Sequence, residues 1–335
     1  MTLSTKPHVC FLVFKWLTLQ ITMRTAITQM LGIEKPIFQG GMAWIADARL
    51  AAAVSEAGGL GIISSILGGP DAVRAEIRRA KELTSKPFGV NIMLAAPDAA
   101  DVAALVIEEG VRIVTTGAGS PSPYMKAWKD AGIRVIPVVA SVAYALKMQE
   151  LGADAVIAEG AESGGHIGDI HTMALVPQIV DAVGIPVMAA GGIFDGRGAA
   201  AAFMLGACGV QVGTRFLVAD ECRVHDVYKE RLIKASDIGT MITGKSLGDA
   251  VRCLKTPFAK QFAKMEASRD VTPEQIRAFG TGSLRKAVFD GDLSGGSFLA
   301  GEVAGLVKRC ESASDIVNDI ICGAERLLGQ AKELI

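Results

Sequence analysis

The sequence contains few aromatic residues, few histidines and no closely spaced cysteines. Aromatic residues make up 5% of the 335 positions, and only 4 residues are histidine. The 6 cysteines are scattered without any pair at C-x-x-C spacing, which argues against a zinc site and against a disulfide framework. Scattered thiols are typical of reduced proteins, so we expect a cytoplasmic location and no resident metal.

The charge is balanced, and no stretch is strongly basic. There are 34 lysine and arginine residues against 35 aspartate and glutamate residues, for a formal net charge of -1. Without a basic patch, nucleic acid is not an expected partner. A hydrophobic content of 50% and 38 glycines indicate instead a chain with a large buried core, as in α/β enzymes.

The first 22 residues lack the features of a membrane span or of a signal peptide. The apolar run from Cys10 to Phe14 is interrupted by Lys15 and is too short to cross a bilayer. No small-residue cleavage site follows it. We interpret residues 1–22 as an N-terminal extension outside the fold, with Met23 as a better natural start. A short membrane-surface anchor is the alternative.

Apolar, β-branched runs recur along the chain, with helical patterns between them. Short continuous apolar runs predict strands buried on both faces, as in parallel sheets. Several helical patterns begin at an N-cap residue and end at glycine. Eight alternations of strand and helix predict a TIM (β/α)8 barrel of the α/β class, and an open doubly wound sheet is the alternative. The predicted strands are residues 36–39, 60–63, 88–92, 111–115, 134–138, 153–157, 185–189 and 209–212.

The alternation breaks after Thr214. Residues 221–300 contain charged helical segments and a turn-rich stretch, which we interpret as an insertion or cap near the substrate site. Residues 302–307 and 316–328 are then predicted as closing helices. We therefore expect a barrel of residues 23–220 plus 301–335 that carries an insertion at residues 221–300.

Small-residue motifs follow the predicted strands, at the end where such barrels place their active sites. The longest runs from Ala158 to Gly168 and contains four glycines, Ser163 and His166. Glycine lets the main chain approach a ligand closely, and histidine transfers protons near neutral pH. A tight turn with a structural histidine is the alternative interpretation.

The loops after the seventh and eighth strands occupy the usual phosphate-binding position of such barrels. Gly191, Gly192, Gly213 and Thr214 are therefore candidates for contacts with a phosphate, aided by a helix N-terminus near residues 196–198. No Walker or G-x-G-x-x-G motif follows the first strand, which argues against a Rossmann site. A phosphosugar, a nucleotide or flavin mononucleotide (FMN) would fit, and Asn91 offers an amide to the edge of a ring.

Six ordered motifs make the chain resemble the family of flavin-dependent nitronate monooxygenases and bacterial enoyl-acyl-carrier-protein reductase II. The motifs are Pro36–Met42, Gly58–Ile62, Phe88–Asn91, Glu162–His166, Ala189–Ile193 and Gln211–Thr214. The resemblance spans about residues 23 to 330 and implies an FMN-binding barrel with His166 as the active-site histidine. The resemblance implies that the cofactor contacts Gly40, Gly41, Met42, Asn91, Glu159, Gly164, Gly192, Gln211, Gly213 and Thr214. We add Ser163, Gly165 and Gly191, which lie in the same loops.

Glu159 is the position that best separates the two activities within this resemblance. Monooxygenases more often have glutamine there, whereas the reductase has Ala-Glu-Gly followed by Gly-Gly-His-Ile-Gly, as this chain does. We therefore favour the reductase. The chain departs from the reductase pattern at Ala140, Lys245, Asp249-Ala250 and Glu302. We expect these departures to lie mainly outside the flavin site and to affect substrate or dinucleotide preference.

The implied reaction is FMN-dependent reduction of a trans-2-enoyl thioester by NADH or NADPH, the last step of the fatty-acid elongation cycle. Acyl carrier protein or CoA would carry the acyl group, and His166 would donate a proton or a hydrogen bond. A nitronate monooxygenase that uses oxygen is the alternative, and a flavin-free phosphosugar isomerase or lyase is the second alternative. Whether the protein forms a homodimer and whether it requires a monovalent cation are left open.

Other polar side chains are weaker candidates. The alternative proton donors are Tyr124, Tyr144 and Tyr228, but their spacing in the sequence gives no support for placing them at the site. Three basic residues could reach a phosphate of the dinucleotide or of the acyl carrier: Lys245, His225 and Arg252. We prefer the alternative that they lie on a solvated face.

Overall fold

The computed structural model describes residues 23–331 of the chain, so the predicted extension at residues 1–22 lies outside the described residues. Eight parallel strands form a sheet in the order β1-β9-β8-β6-β5-β4-β3-β2, and a parallel bridge between Phe38 and Leu60 joins its two ends. The predicted TIM barrel is confirmed, and the open sheet is wrong. The strands are β1 Ile37–Gln39, β2 Gly61–Ser64, β3 Phe88–Met93, β4 Ile113–Gly117, β5 Arg134–Val139, β6 Val156–Glu159, β7 Gly165–His166, β8 Val187–Ala190, β9 Gly209–Val212, β10 Thr240–Thr243 and β11 Val251–Leu254.

Helices follow most barrel strands and return the chain to the start of the next strand. Asp47 and Ser141 are the N-cap residues of α2 and α6, and the side chain of each accepts a hydrogen bond from the backbone N–H three residues on. None of the helices within residues 23–331 combines the length and apolarity needed to cross a bilayer. The helices are α1 Ala26–Leu31, α2 Ala48–Glu56, α3 Pro70–Leu83, α4 Ala99–Glu108, α5 Ser122–Asp130, α6 Val142–Glu150, α7 Thr172–Ala182, α8 Gly196–Met204, α9 Asp226–Ile233, α10 Pro257–Ala267, α11 Pro273–Gly280, α12 Ser283–Asp290 and α13 Ala313–Gln330.

The barrel strands are buried on both faces, because their side chains alternate between two apolar clusters. In β6, Ile157 belongs to a cluster with Phe38, Ile62 and Ile113 from other strands, while Val156 and Ala158 belong to the larger cluster that includes the surrounding helices. Helix α1 adds its buried Ile27 to the cluster of Ile157. The continuous apolar runs of the sequence are explained by this two-sided burial.

The closing region differs in part from the prediction. Residues Glu302–Leu306 form a short 3-10 helix instead of an α-helix, while α13 is longer than the predicted 316–328. Helix α13 packs against both α8 and α2 and so completes the helical ring. Gly196 allows this contact, because a methyl group there would lie 2.4 Å from the carbonyl carbon of Gly323.

Residues 221–300 form a second small sheet together with the glycine-rich loop. Strands β10 and β11 pair antiparallel, and β11 also pairs with β7, which places Arg252 opposite Gly165 and Val251 opposite His166. Helices α9 to α12 accompany this sheet. The loop that carries His166 is therefore held directly by the inserted segment. The division of the chain into a barrel and an insertion stays an interpretation.

Candidate active site

All eight barrel strands run in the same direction, so the loops at their carboxyl ends surround one mouth. The sheet register places Ala190 of β8 beside both Glu159 of β6 and Gln211 of β9. Asn91 of β3 likewise lies beside Thr115 of β4. The residues predicted for the cofactor therefore follow neighbouring strands around the rim of a single mouth.

The loops after β8 and β9 present free backbone N–H groups. No acceptor among residues 23–331 pairs with the amides of Gly192, Ile193, Gly213 or Thr214. Gly191 and Gly192 have φ angles of 87° and 71°, which favour glycine. Free amides on adjacent turns are the donor set that binds an anion such as a phosphate. The two glycine turns thus have the chemistry predicted for a phosphate cradle.

The N-terminus of α8, which the sequence predicts to aid this cradle, carries a capping carboxylate. The Asp195 side chain caps the helix and accepts the N–H of Arg197 at 2.9 Å. Asp195 Oδ2 also pairs with the Arg197 guanidinium at 2.7 Å. Because a carboxylate already occupies the positive end of the helix, an incoming phosphate would meet a like charge there.

The loop after β1 contacts Asn91 so closely that glycine is required. A methyl group on Gly41 would lie 2.2 Å from the Cβ of Asn91. Asn91 donates from Nδ2 to the Thr115 hydroxyl at 2.9 Å, and its Oδ1 has no donor among the described residues. The half-buried amide is thereby fixed in one orientation with an acceptor left for a ligand.

The β1 loop also approaches the loop after β9. A methyl group on Gly40 would lie 3.6 Å from the buried side chain of Gln211, and one on Gly213 would lie 3.8 Å from Met42 Sδ. Thr214 is buried and its hydroxyl accepts the N–H of Gly301 at 2.9 Å. The loop after β1, the loop after β9 and the segment at Gly301 therefore meet at one side of the mouth.

Glu159 ends β6 with a carboxyl group in a recess of the mouth. Its side chain is partly accessible to solvent but is surrounded by protein, and this burial raises the pKa of Glu159 to about 7 despite a hydrogen bond from Ser163. The Ser163 hydroxyl donates to Glu159 Oε1 at 3.2 Å. A carboxyl group of this kind is partly protonated at neutral pH and can donate a hydrogen bond.

Glu159→Gln is expected to stabilise the flavin-free protein increasingly as pH rises. The folded pKa is about 7 and the ordinary value is 4.5, so the folded state binds a proton more tightly between these values. The contribution of Glu159 to wild-type stability therefore falls as pH rises from 4.5 to about 7, by at most about 3 kcal/mol, and is level above that range. The variant lacks this loss. Urea unfolding across this range measures the difference.

Glu150→Gln, at an exposed position, is the matched control for removing one carboxylate. It is expected to follow the wild-type stability profile. If Glu159→Gln also follows that profile, the raised pKa of Glu159 is wrong.

Contacts from distant segments shape the glycine-rich loop. The Glu162 carboxylate accepts the Thr172 N–H at 2.9 Å and so caps α7, while the Glu162 carbonyl accepts the Glu302 N–H at 2.9 Å. A methyl group on Gly164 would lie 2.7 Å from the carbonyl carbon of Ala300. The loop is therefore fixed between β11 on one side and residues 300–302 on the other.

His166 lies on β7, with its imidazole against the carboxylate of Asp249. Its Nε2 is 3.1 Å from Asp249 Oδ1, and both side chains are largely exposed. Asp249 is one of the departures from the reductase pattern, and it lies against the candidate catalytic histidine. That the departures lie mainly outside the flavin site stays a prediction. The departure itself was the signal in the sequence, but spacing could not reveal the contact.

Arg252 is not on a solvated face, as we had expected from the sequence. Its side chain is buried, donates from Nε to the Ala161 carbonyl at 3.1 Å and pairs with Glu302 Oε1 at 3.0 Å. A second departure, Glu302, is thus the ionic partner of Arg252. A buried guanidinium that is bonded in this way supports the glycine-rich loop and is poorly placed to receive a substrate phosphate.

The other polar candidates separate by exposure. Tyr228 is fully buried and donates to the Leu299 carbonyl at 2.7 Å, which excludes it as a proton donor at the mouth. The Tyr144 hydroxyl donates to the Gly119 carbonyl, and Lys245 is exposed. His225 accepts the Val227 N–H through Nδ1 at the start of α9. Nothing in these contacts brings the four residues to His166.

Comparison with known proteins places the chain in a family. A family profile described as nitronate monooxygenase matches residues 24–323. The chain belongs to the nitronate monooxygenase family. The structure of FabK from Thermotoga maritima superposes with a TM-score of 0.91 at 50% identity, covering 94% of this chain and 100% of that one. The predicted resemblance to this family is confirmed.

Sequence relatives within the family have different names. A 5-hydroxy-7a-methyl-1-oxo-octahydro-1H-indene-4-carboxyl-CoA dehydrogenase from Mycobacterium tuberculosis is 37% identical over 93% of this chain and 99% of its own. A protein named probable nitronate monooxygenase from Staphylococcus aureus is 33% identical over 79% of this chain and 87% of its own. Family membership supports an oxidoreductase that depends on a flavin, and the relatives differ in substrate.

Proposed function

We propose that the protein is an FMN-dependent enoyl-thioester reductase that uses NADH or NADPH. The observation that carries the proposal is the 50% identity to FabK, an enoyl-acyl-carrier-protein reductase II, over nearly the whole chain. The carboxylic acid at Glu159 supports the same choice, because the resemblance associates glutamate there with the reductase. A place in fatty-acid elongation follows from this proposal and not from the geometry.

The residues at the mouth fit FMN. The free amides after β8 and β9 supply donors for its phosphate. The close approach of Gly41 to Asn91 leaves the backbone there without a side chain that would block a flat ring, and Asn91 keeps a free acceptor. When bound, the flavin supplies hydride transfer between the nicotinamide and the β-carbon of the enoyl thioester.

The protein itself would position the thioester and supply a proton. Reduction adds a hydride to the β-carbon and a proton to the α-carbon, so NAD(P)H and one proton are consumed for each acyl thioester formed. His166 is the proposed donor of that proton or of a hydrogen bond to the thioester carbonyl. Asp249 would orient the imidazole by accepting from Nε2–H.

Anaerobic turnover tests the proposal. We expect the purified protein, reconstituted with FMN, to oxidise NADH or NADPH beyond one equivalent per flavin only when crotonyl thioester is added, with butyryl thioester as the product. Crotonyl groups on CoA and on acyl carrier protein are compared. Absence of nucleotide oxidation with both carriers would overturn the reductase assignment.

The second candidate is a nitronate monooxygenase, which the family profile favours. Under air, and without nucleotide, this activity would appear as oxygen consumption on addition of an alkyl nitronate. A protein that consumes oxygen with the nitronate but does not oxidise NAD(P)H with crotonyl thioester is a monooxygenase. The predicted homodimer, cytoplasmic location and monovalent cation, for which no ligands are assigned, stay predictions.

A further inference from the structure

An aromatic and cationic cluster lies on the surface near the mouth. Trp44 and Phe289 meet edge to face with ring centroids 6.2 Å apart. The Arg285 guanidinium lies 5.9 Å from the Trp44 ring and 5.4 Å from the Phe289 ring. We name these three residues the Trp44 platform. Trp44 comes from the loop after β1, and the other two residues come from α12 of the inserted segment.

The platform is open to a ligand. The Phe289 side chain is 50% exposed, which is unusual for a large aromatic residue within contact of other rings. Arg285 is also exposed, and within residues 23–331 no carboxylate lies within 4.0 Å of its guanidinium. The platform therefore offers an exposed aromatic ring beside a positive charge that is not paired with a carboxylate.

The backbone at Trp44 is held in an uncommon conformation. Its φ angle is 64°, in the left-handed region that a bulky residue rarely adopts. The Trp44 N–H donates to the Ile66 carbonyl at 2.7 Å, which fixes the loop in this state. The side chain is half-buried, with part of it packed against the apolar core. The conformation therefore holds the indole of a half-buried tryptophan in contact with α12.

The platform is connected to the candidate active site. Trp44 lies two residues beyond Met42, whose sulfur approaches Gly213 of the proposed phosphate cradle. In the barrel, β1 lies between β9 and β2, and the Trp44 N–H bonds to Ile66 just beyond β2, so Trp44 lies on the β2 side of the β1 loop. A long ligand could therefore reach the mouth with one end and the platform with the other.

We propose that the Trp44 platform binds the phosphorylated adenosine end of a substrate whose reactive end enters the barrel mouth. The purine would stack on the Phe289 ring, and Arg285 would pair with a phosphate. The proposal deepens the proposed function and rests on it for the reactive end. Both a CoA thioester and NAD(P)H carry such an adenosine, whereas acyl carrier protein does not.

Direct binding tests the platform without turnover. Calorimetric titration of the FMN-loaded protein is expected to show binding of adenosine 3′,5′-bisphosphate or adenosine 2′,5′-bisphosphate, and none of ribose 5-phosphate, which lacks the base. Phe289→Ala and Arg285→Ala should each weaken binding by about tenfold, the effect of losing one stacking or charge contact. Lys286→Ala, the next exposed cation on α12, is the matched control and should change binding by less than about twofold.

Steady-state kinetics then identify the source of the adenosine. If it belongs to CoA, Phe289→Ala should raise the KM for crotonyl-CoA and leave the KM for crotonyl-pantetheine and for NAD(P)H unchanged. If it belongs to the nucleotide, the KM for NADH or NADPH should rise instead. Crotonyl-acyl carrier protein, whose carrier lacks adenosine, is the control substrate for these measurements.

Two results would separate failure of this inference from failure of the proposed function. Wild-type protein that binds neither bisphosphate, or variants that bind them as well as wild type does, overturn the platform whatever the turnover. Binding that is lost in the variants, in a protein that reduces no enoyl thioester, supports the platform and overturns the reductase.

Discussion

Gly41→Ala is expected to weaken flavin binding by at least about 100-fold, equivalent to about 2.7 kcal/mol. The new methyl group would lie 2.2 Å from Asn91 Cβ and 2.6 Å from its Cγ, so either the β1 loop or the Asn91 side chain must move. Both are parts of the proposed ring site, and Asn91 is also bonded to Thr115. Flavin content after purification and the Kd for added FMN measure the effect.

Gly117→Ala is the matched control for this change. Gly117 ends β4 at the same mouth, yet a methyl group there meets no atom within 4 Å. We expect this variant to bind flavin as wild type does. Circular dichroism separates loss of cofactor from loss of fold. A folded Gly41→Ala protein with a full complement of flavin would show that the β1 loop does not form the ring site.

His166→Ala is expected to lower kcat for enoyl-thioester reduction by about 100- to 10,000-fold, the usual contribution of a positioned proton donor. Flavin content should not change, because the exposed imidazole contacts Asp249 and not the glycine turns. His171→Ala, at a second exposed histidine five residues along the chain, is the control and should keep most of its activity. Stopped-flow reduction of the flavin by NAD(P)H should proceed normally in His166→Ala.

Asp249 separates positioning from chemistry in this prediction. Asp249→Ala should lower kcat by a smaller factor, because it removes an orienting contact and leaves the imidazole in place. In a His166→Ala background the same change should have no further effect, since the contact is already lost. Undiminished turnover in His166→Ala would exclude the histidine from the reaction.

Sequence pattern alone was enough to predict the barrel. Each barrel strand is buried on both faces, so its apolar run is continuous, and the helices carry local start signals such as Asp47. The 3-10 helix at Glu302 was missed because its conformation depends on contacts with Glu162 and Arg252, which are distant in sequence. Local periodicity does not report contacts of this kind.

The parts of the candidate site that could be predicted are the glycine turns, because glycine indicates local backbone conformation. The turns at Gly191 and Gly192 require left-handed backbone, and the sequence showed them as adjacent glycines. The contacts of His166 and Arg252 were not predictable, because they depend on the antiparallel pairing of β7 with β11 across an inserted segment. The Trp44 platform joins residues of two distant segments, the loop after β1 and α12, whose contact local sequence patterns do not report.

The central claim is that a flavin at this mouth transfers reducing equivalents from NAD(P)H to an enoyl thioester. The most direct measurement mixes photoreduced, FMN-loaded protein with crotonyl thioester in an anaerobic stopped-flow instrument. We predict rapid return of the oxidised flavin spectrum, with one butyryl thioester formed for each flavin. A reduced flavin that is not reoxidised by crotonyl-CoA or crotonyl-acyl carrier protein, but is reoxidised by oxygen, would contradict the claim.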